Sequence, residues 1–269
     1  MTVYYKFLDP GGRPRWGTGT WHLPNGERPG KWMPEITDLV PGQRGYHVAT
    51  IDQLIDWLGP ELFEVECRGE HIDHWDMHVF GQARLVRRID AWNDRTARLF
   101  AADCAERALL VFEILCPGDP WPRHAIHVAR AFADGQATRK DLAEARAKAR
   151  ASASAAARDA ARDVTWGAAK AAARDVAWET AKDAVWEAAR VVVRAATEGP
   201  AWVAARAAAQ DAAWVVARAA AGVPVRGAFR SAFWAGTWSA IWDRERAWQT
   251  RRLSQLISAG HTHARQEEP

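Results

Sequence analysis

The sequence predicts an α+β protein, with a small mixed N-terminal α/β domain packed on a larger alanine-rich α-helical bundle. Three observations predict it. Between Ala143 and Ala221, 35 of 79 residues are alanine and five tryptophans stand at wide intervals, Trp166, Trp178, Trp186, Trp202 and Trp214. Alanine has the highest helix propensity, loses no side-chain entropy and lets two helix backbones approach closely; the tryptophans then fill the gaps. Upstream of residue 92 the pattern is instead one of short apolar runs broken by Gly and Pro. From about Asn93 the apolar spacing becomes helical and stays so. The expected division is a mixed domain over 1–92, a bundle over 93–259 and a disordered tail over 260–269.

Taken in order, Val3 to Phe7 is a β-branched and aromatic run closed by Asp9-Pro10-Gly11-Gly12, a strand and its turn. Residues 10–45, rich in Gly and Pro, read as a long loop with short strands and carry Trp16, Trp21 and Trp32. Gly45 to Ala49 reads as a strand. Thr50 stands three residues before Gln53, a capping box, and Ile51, Leu54, Ile55 and Leu58 follow at helical spacing until Gly59-Pro60. Leu62 to Cys67 alternates as a half-buried strand does. Met77 to Ile89 reads as a further strand or pair, with Val79, Leu85, Val86 and Ile89 facing a core.

Asp94 to Leu115 reads as a helix closed by Pro117-Gly118-Asp119-Pro120, and Arg123 to Asp134 as a second, with Gly135 as its C-terminal cap. Thr138 opens the alanine tract. Residues 160–166 return as residues 172–178, a local echo too brief for a solenoid. Trp178, Ala181, Val185, Ala188 and Val192 fall at the 3-and-4 spacing of a helix–helix seam, which packs within the chain or across a dimer; enough helices are present to cover it within the chain. Glu198-Gly199-Pro200 breaks the helix and restarts it. Ala201 to Ala221 has so few polar residues that it is expected to be the most buried helix. A last helix, roughly Ala228 to Ser258, sets Trp234, Trp238 and Trp242 four apart.

The net charge of +3 is uneven: residues 1–80 carry 7 Lys/Arg and 12 Asp/Glu, residues 81–222 carry 22 and 17. An acidic front and a basic back give a partner a polarity to meet. Cys67, Cys104 and Cys116 form no CxxC pair, as expected in a reducing cytoplasm. The first residues show no basic start followed by an apolar run, so no signal peptide is expected. No apolar run is long enough to span a membrane.

The chemistry-bearing residues are few. His71, His74 and His78, with Asp73 and Asp76 between them, are the best metal-like cluster, and a polar loop is the competing reading. Cys104 falls among Ala101, Ala105 and Ala108 in a helix, as a buried structural cysteine does. The glycines at 11, 12, 17 and 19 lack the following helix that a phosphate cradle needs. No cofactor is implied. Arg84, Arg87, Arg88, Arg95 and Arg98 form one basic cluster, and Arg244, Arg246, Arg251 and Arg252 another beside Trp248; basic residues among aromatics point toward nucleic acid. Trp16, Trp21, Trp32, Tyr46 and Trp75 are too many for a polar loop to bury by itself, and Trp and Tyr are favoured interface anchors.

Asp103-Cys104-Ala105-Glu106-Arg107, Trp121-Pro122-Arg123 and Ala129-Arg130-Ala131-Phe132-Ala133-Asp134-Gly135, followed by an alanine-rich helical tract, resemble bacterial immunity proteins of polymorphic toxin systems over roughly Asn93 to Val193. Gly45 to Trp92, with Trp57-Leu58-Gly59-Pro60, Glu64-Val65-Glu66 and Arg68-Gly69-Glu70, is similar to an uncharacterised domain fused to such proteins in actinobacteria and their phages. The resemblance implies a helical, non-catalytic cytoplasmic protein whose partner is a cognate toxin, with no catalytic residues to carry over. Trp16, Trp21, Trp32, Trp248, Arg84 and Arg88 are the expected partner-binding residues. A phage or bacterial nucleic-acid-associated protein acting in defence or counter-defence is the alternative. A third reading is an enzyme using His47, His71 or His74.

Overall fold

The structure, a computed structural model, describes residues 2–165, 187–197, 199–221 and 230–264. Trp166, Trp178, Trp186, most of the local echo, the first half of the expected seam, and the side chains of Trp234 and Trp238 lie outside the described residues. The architecture is α+β. Among the described residues, four strands, β1 (Tyr4–Leu8), β2 (Tyr46–Val48), β3 (Glu61–Asp73) and β4 (His78–Arg88), precede six helices. These are α1 (Asp94–Leu115), α2 (Trp121–Ala133), α3 (Arg139–Thr165), α4 (residues 187–195), α5 (Ala201–Ala221) and α6 (Arg230–Ala264). The chain forms two compact units, one of residues 1–96 with 250–269, the other of residues 97–249.

In the first unit the strands make one antiparallel sheet in the order β1-β3-β4-β2. Alternation places Leu8, Val48, Phe63, Val65, Ala83 and Leu85 in its core with Trp21 and Tyr46. The Asp-Pro-Gly-Gly turn sets that core: Gly12 has φ +77°, and a Cβ there would meet the Trp21 carbonyl oxygen at 2.6 Å. The Gly12 carbonyl in turn accepts the Trp21 N–H at 2.8 Å. Only glycine reaches this conformation without strain.

The loop over residues 10–45 holds no strand; its ladder pairs are isolated bridges at Asp9–Arg13, Asn25–Arg28 and Val40–Arg44. It is ordered by the sheet edge. The N–H groups of Gly30, Met33 and Ile36 donate to the carbonyls of Leu85, Ala83 and Gly81 at 2.8–2.9 Å. The part of β4 beyond the short β2 would otherwise expose unpaired carbonyls, and the loop covers it.

The helix expected after Thr50 is a single 3-10 turn, Leu54–Trp57. Half of the capping box forms, with the Thr50 N–H donating to Gln53 Oε1 at 3.0 Å. Leu54, Ile55 and Leu58 are fully buried, as their spacing requires. Gly59-Pro60 leaves too few residues for a longer helix to repay its nucleation.

The helices start and stop where their caps say. Asn93 and Thr96 cap α1 reciprocally, Asn93 N–H to Thr96 Oγ1 at 2.9 Å and Thr96 N–H to Asn93 Oδ1 at 3.1 Å. The end of α2 is closed by Gly135 (φ +72°), with Gly135 N–H to Phe132 O and Gln136 N–H to Ala131 O. Thr138 and Asp141 exchange N–H bonds at the start of α3, and α2 packs on α3. In the second unit α5 buries Ala204, Ala205, Ala208, Ala209, Ala212 and Ala213. Ala188 and Val192 of the expected seam are buried on α4. The last helix continues through Ala264, past the expected end near Ser258. Leu253 and Ile257 on it are buried. No described helix is long and apolar enough to cross a membrane.

Candidate functional site

The histidine cluster lies at the tip of the β3–β4 hairpin and is taken up by local pairs. His78 Nδ1 meets Asp73 Oδ1 and His74 Nδ1 meets Asp76 Oδ1, each at 2.6 Å, while His71 stacks on Phe80 at 5.3 Å. Among the described residues no group of His, Cys, Asp or Glu is arranged to hold a metal. His47 serves the fold: its Nε2 accepts the Gly42 N–H at 2.8 Å, and burial, then the Lys6 charge, lower its pKa. Cys104 is completely buried, and burial holds its thiol well above the ordinary range, so the thiolate that chemistry needs is disfavoured. All three cysteines are free.

The basic cluster is spent on cross-strand pairs. Arg84, Arg87 and Arg88 reach Glu66, Glu64 and Glu61 at 2.6, 2.8 and 3.1 Å. The register of β3 and β4 sets Glu66 opposite Arg84 and Glu64 opposite Arg87. Arg98 donates to the carbonyls of Thr197 and Gly199 at 2.9 Å each, supplying the acceptors at the end of α4 with a cation. Charges paired in this way leave little field for phosphates.

The six expected partner-binding residues have different fates. Trp16 is 57% exposed, edge-on to Trp57 at 5.6 Å. Trp21 is buried against Tyr46, so it belongs to the sheet core and is no surface anchor. Trp32 is half-buried, with the guanidinium groups of Arg68 and Arg84 at 4.0 and 4.7 Å from its ring centre. Arg84 and Arg88 are the paired arginines just described. Trp248 belongs to the helical unit, where Arg107 lies over its ring at 4.5 Å.

The Asp103–Arg107 element is structural. Asp103 and Glu106 on α1 both grip Arg130 of α2, at 2.8 and 2.6 Å, and that bond lowers the Glu106 pKa. Arg107 grips the buried Glu245 of α6 at 2.6 Å. Burial raises the Glu245 pKa more than Arg107 lowers it. Gln249, one turn on, donates to the Ala209 carbonyl at 2.8 Å, which ties α6 to α5.

Further along the same stripe of α1 the side chains turn apolar and stay in solvent. Leu110 is 57% and Ile114 79% exposed, one turn apart. Arg123 at the start of α2 pairs with Glu113 of α1 at 2.7 Å, and Trp121 of α2, with Lys148 over its ring at 4.8 Å, is 38% exposed. Sequence reasoning placed Leu110 and Ile114 on the helix Asp94 to Leu115 but did not single them out, because apolar spacing alone does not say which apolar residues a neighbour covers. Contiguous exposed apolar side chains with a polar rim mark interaction sites.

Residues 88–185 match a family described as "Imm-5 like putative immunity protein". The match begins at the end of β4, takes in α1, α2 and α3, and leaves the sheet outside it. No curated protein and no solved structure matches the chain.

Proposed function

We propose that this chain is an immunity-type protein: it binds a cognate protein toxin and neutralises it by covering a working surface of the toxin, without catalysis of its own. The observation that carries the reading is the match over residues 88–185 to an immunity-protein family, together with the exposed Leu110 and Ile114, one helical turn apart, and the exposed Trp121 inside that segment. Aliphatic and aromatic groups with a charged rim are what a protein partner desolvates on docking. Trp16, Trp32, Trp248, Arg84 and Arg88 are retained in the proposed contact set, with Trp16 the best presented of them.

The test is affinity capture of the full chain from its own cells after nuclease treatment. A stoichiometric protein is expected. Expressed alone, that protein should arrest growth, and co-expression of this chain should restore it. Partners lost on nuclease treatment would favour the nucleic-acid alternative. A captured protein that is harmless when expressed alone would contradict the immunity reading.

A further inference from the structure

The tip of the β3–β4 hairpin, residues 74–77, presents one side chain outward on a fixed backbone. Trp75 is 80% exposed, while Met77 two residues later is buried with Leu39 and Val79. The His74 N–H closes the turn on the Met77 carbonyl at 2.9 Å. Three successive tip carbonyls are then held from the neighbouring 3-10 segment. Gln53 Nε2 donates to His74 O at 3.3 Å and to Trp75 O at 3.5 Å, and Trp57 Nε1 donates to Asp76 O at 2.8 Å. The far side of Trp57 carries Trp16. A tryptophan left in water on a backbone held at so many points has little ordering entropy left to lose on binding.

The segment that carries the tip is rich in carboxylates, with Arg15 as the cation on the Trp16–Trp57 side. Between residues 45 and 83 the chain has eight carboxylates and a single Lys or Arg, Arg68. Glu61, Glu64 and Glu66 pair with arginines at the other end of the hairpin, and Arg68 is turned to Trp32 and Gln82. Of the aspartates at the tip, Asp73 is 67% exposed and meets His78 at 2.6 Å, while Asp76, 15% exposed, meets His74 at 2.6 Å. A nucleic acid is repelled by this surface, and a cationic protein surface is attracted to it.

We propose that the Trp75 hairpin tip is a docking element for a cationic protein surface, with the indole seated in an apolar notch and the exposed Asp73 facing Lys or Arg. This rests on the protein-binding reading above but not on the α1 patch.

The test uses the full-length chain and a random linear peptide library displayed on phage, with the Trp75→Ala variant as counter-selection. Peptides that pair Lys or Arg with an aromatic or aliphatic residue should be enriched. Trp75→Ala should weaken the best of them about 10-fold or more, as for an interface anchor. Trp75→Phe should lose less. Asp73→Asn should lose a few-fold, mostly in association rate, and binding should weaken between about 0.05 and about 0.5 M salt. Enriched peptides without cationic bias, equal binding by Trp75→Ala, or no enrichment would each overturn the proposal. Leu110→Asp with Ile114→Asp should leave peptide binding unchanged, which separates failure here from failure of the toxin-binding reading.

Discussion

The sheet unit and the helical unit solve the same packing problem with different mixtures of large and small side chains. The sheet unit buries large side chains, among them Leu8, Leu62 and Leu85 on its strands and Leu54 and Trp92 on the turns beside them. The helical unit buries alanines along α5 and joins its helices with charged clamps, Arg130 on Asp103 and Glu106, Arg107 on Glu245. In the first, stability comes from apolar volume. In the second, close backbone approach along α5 is added to the apolar volume of Phe100, Leu109, Phe112 and Leu142.

Opposite substitutions break the contrast most sharply. Leu85→Ala should cost about 2–5 kcal/mol by opening a cavity under the sheet. Ala208→Leu on α5 should cost about 1–3 kcal/mol by forcing helices apart. Urea unfolding of both variants measures this; an Ala208→Leu protein as stable as wild type would contradict close packing in the helical unit. Thr138→Ala, which removes the reciprocal cap of α3, should cost about 1 kcal/mol.

A pH series sharpens the picture of the sheet unit. Lys6 donates to the His47 carbonyl at 2.7 Å, and burial lowers its pKa from 10.5 to about 8. The unfolded chain therefore holds more protons at this site between about 8 and 10.5, and the Lys6 contribution to stability rises with pH across that window. Burial pushes Cys67 the other way, up to about 12, so its contribution falls above its ordinary value of 9. The difference between wild type and Lys6→Met isolates the lysine: the stability gap should shift in favour of wild type as pH rises from 8 to 10.5. A gap that stays constant would contradict a charge-strained Lys6. The smallest expected effect is on the surface, where Trp75→Ala should change stability by no more than about 0.5 kcal/mol, read as an unchanged melting curve.

Helices with local punctuation were legible to the residue: α1 between Asn93 and Pro117, α5 between Pro200 and Gly222. What was not legible depends on distant partners. Nothing local distinguishes Trp21, sealed in the sheet core, from Trp16 in the same loop or from Trp75 at the hairpin tip; the β4 edge and the tip contacts decide their places. The arginines of β4 read as a free basic patch, because cross-strand register with the glutamates of β3 is invisible until the strands pair. The end of α6 reads as part of the bundle, yet from Thr250 it belongs to the same compact unit as the sheet. The Asp-Cys-Ala-Glu-Arg element marked the right segment, although its side chains are clamps and the exposed apolar residues follow it on the same helix.

The central claim is that the helical segment matched to the immunity-protein family binds a toxin through its exposed apolar patch. The most direct measurement is the affinity of the captured, growth-arresting protein for wild type and for the Leu110→Asp, Ile114→Asp double variant, with melting curves as the control for folding. The account predicts an affinity loss of about 100-fold or more, because two charges would be buried at the centre of an interface, with the melting curve unchanged. Equal affinity for both proteins would contradict it.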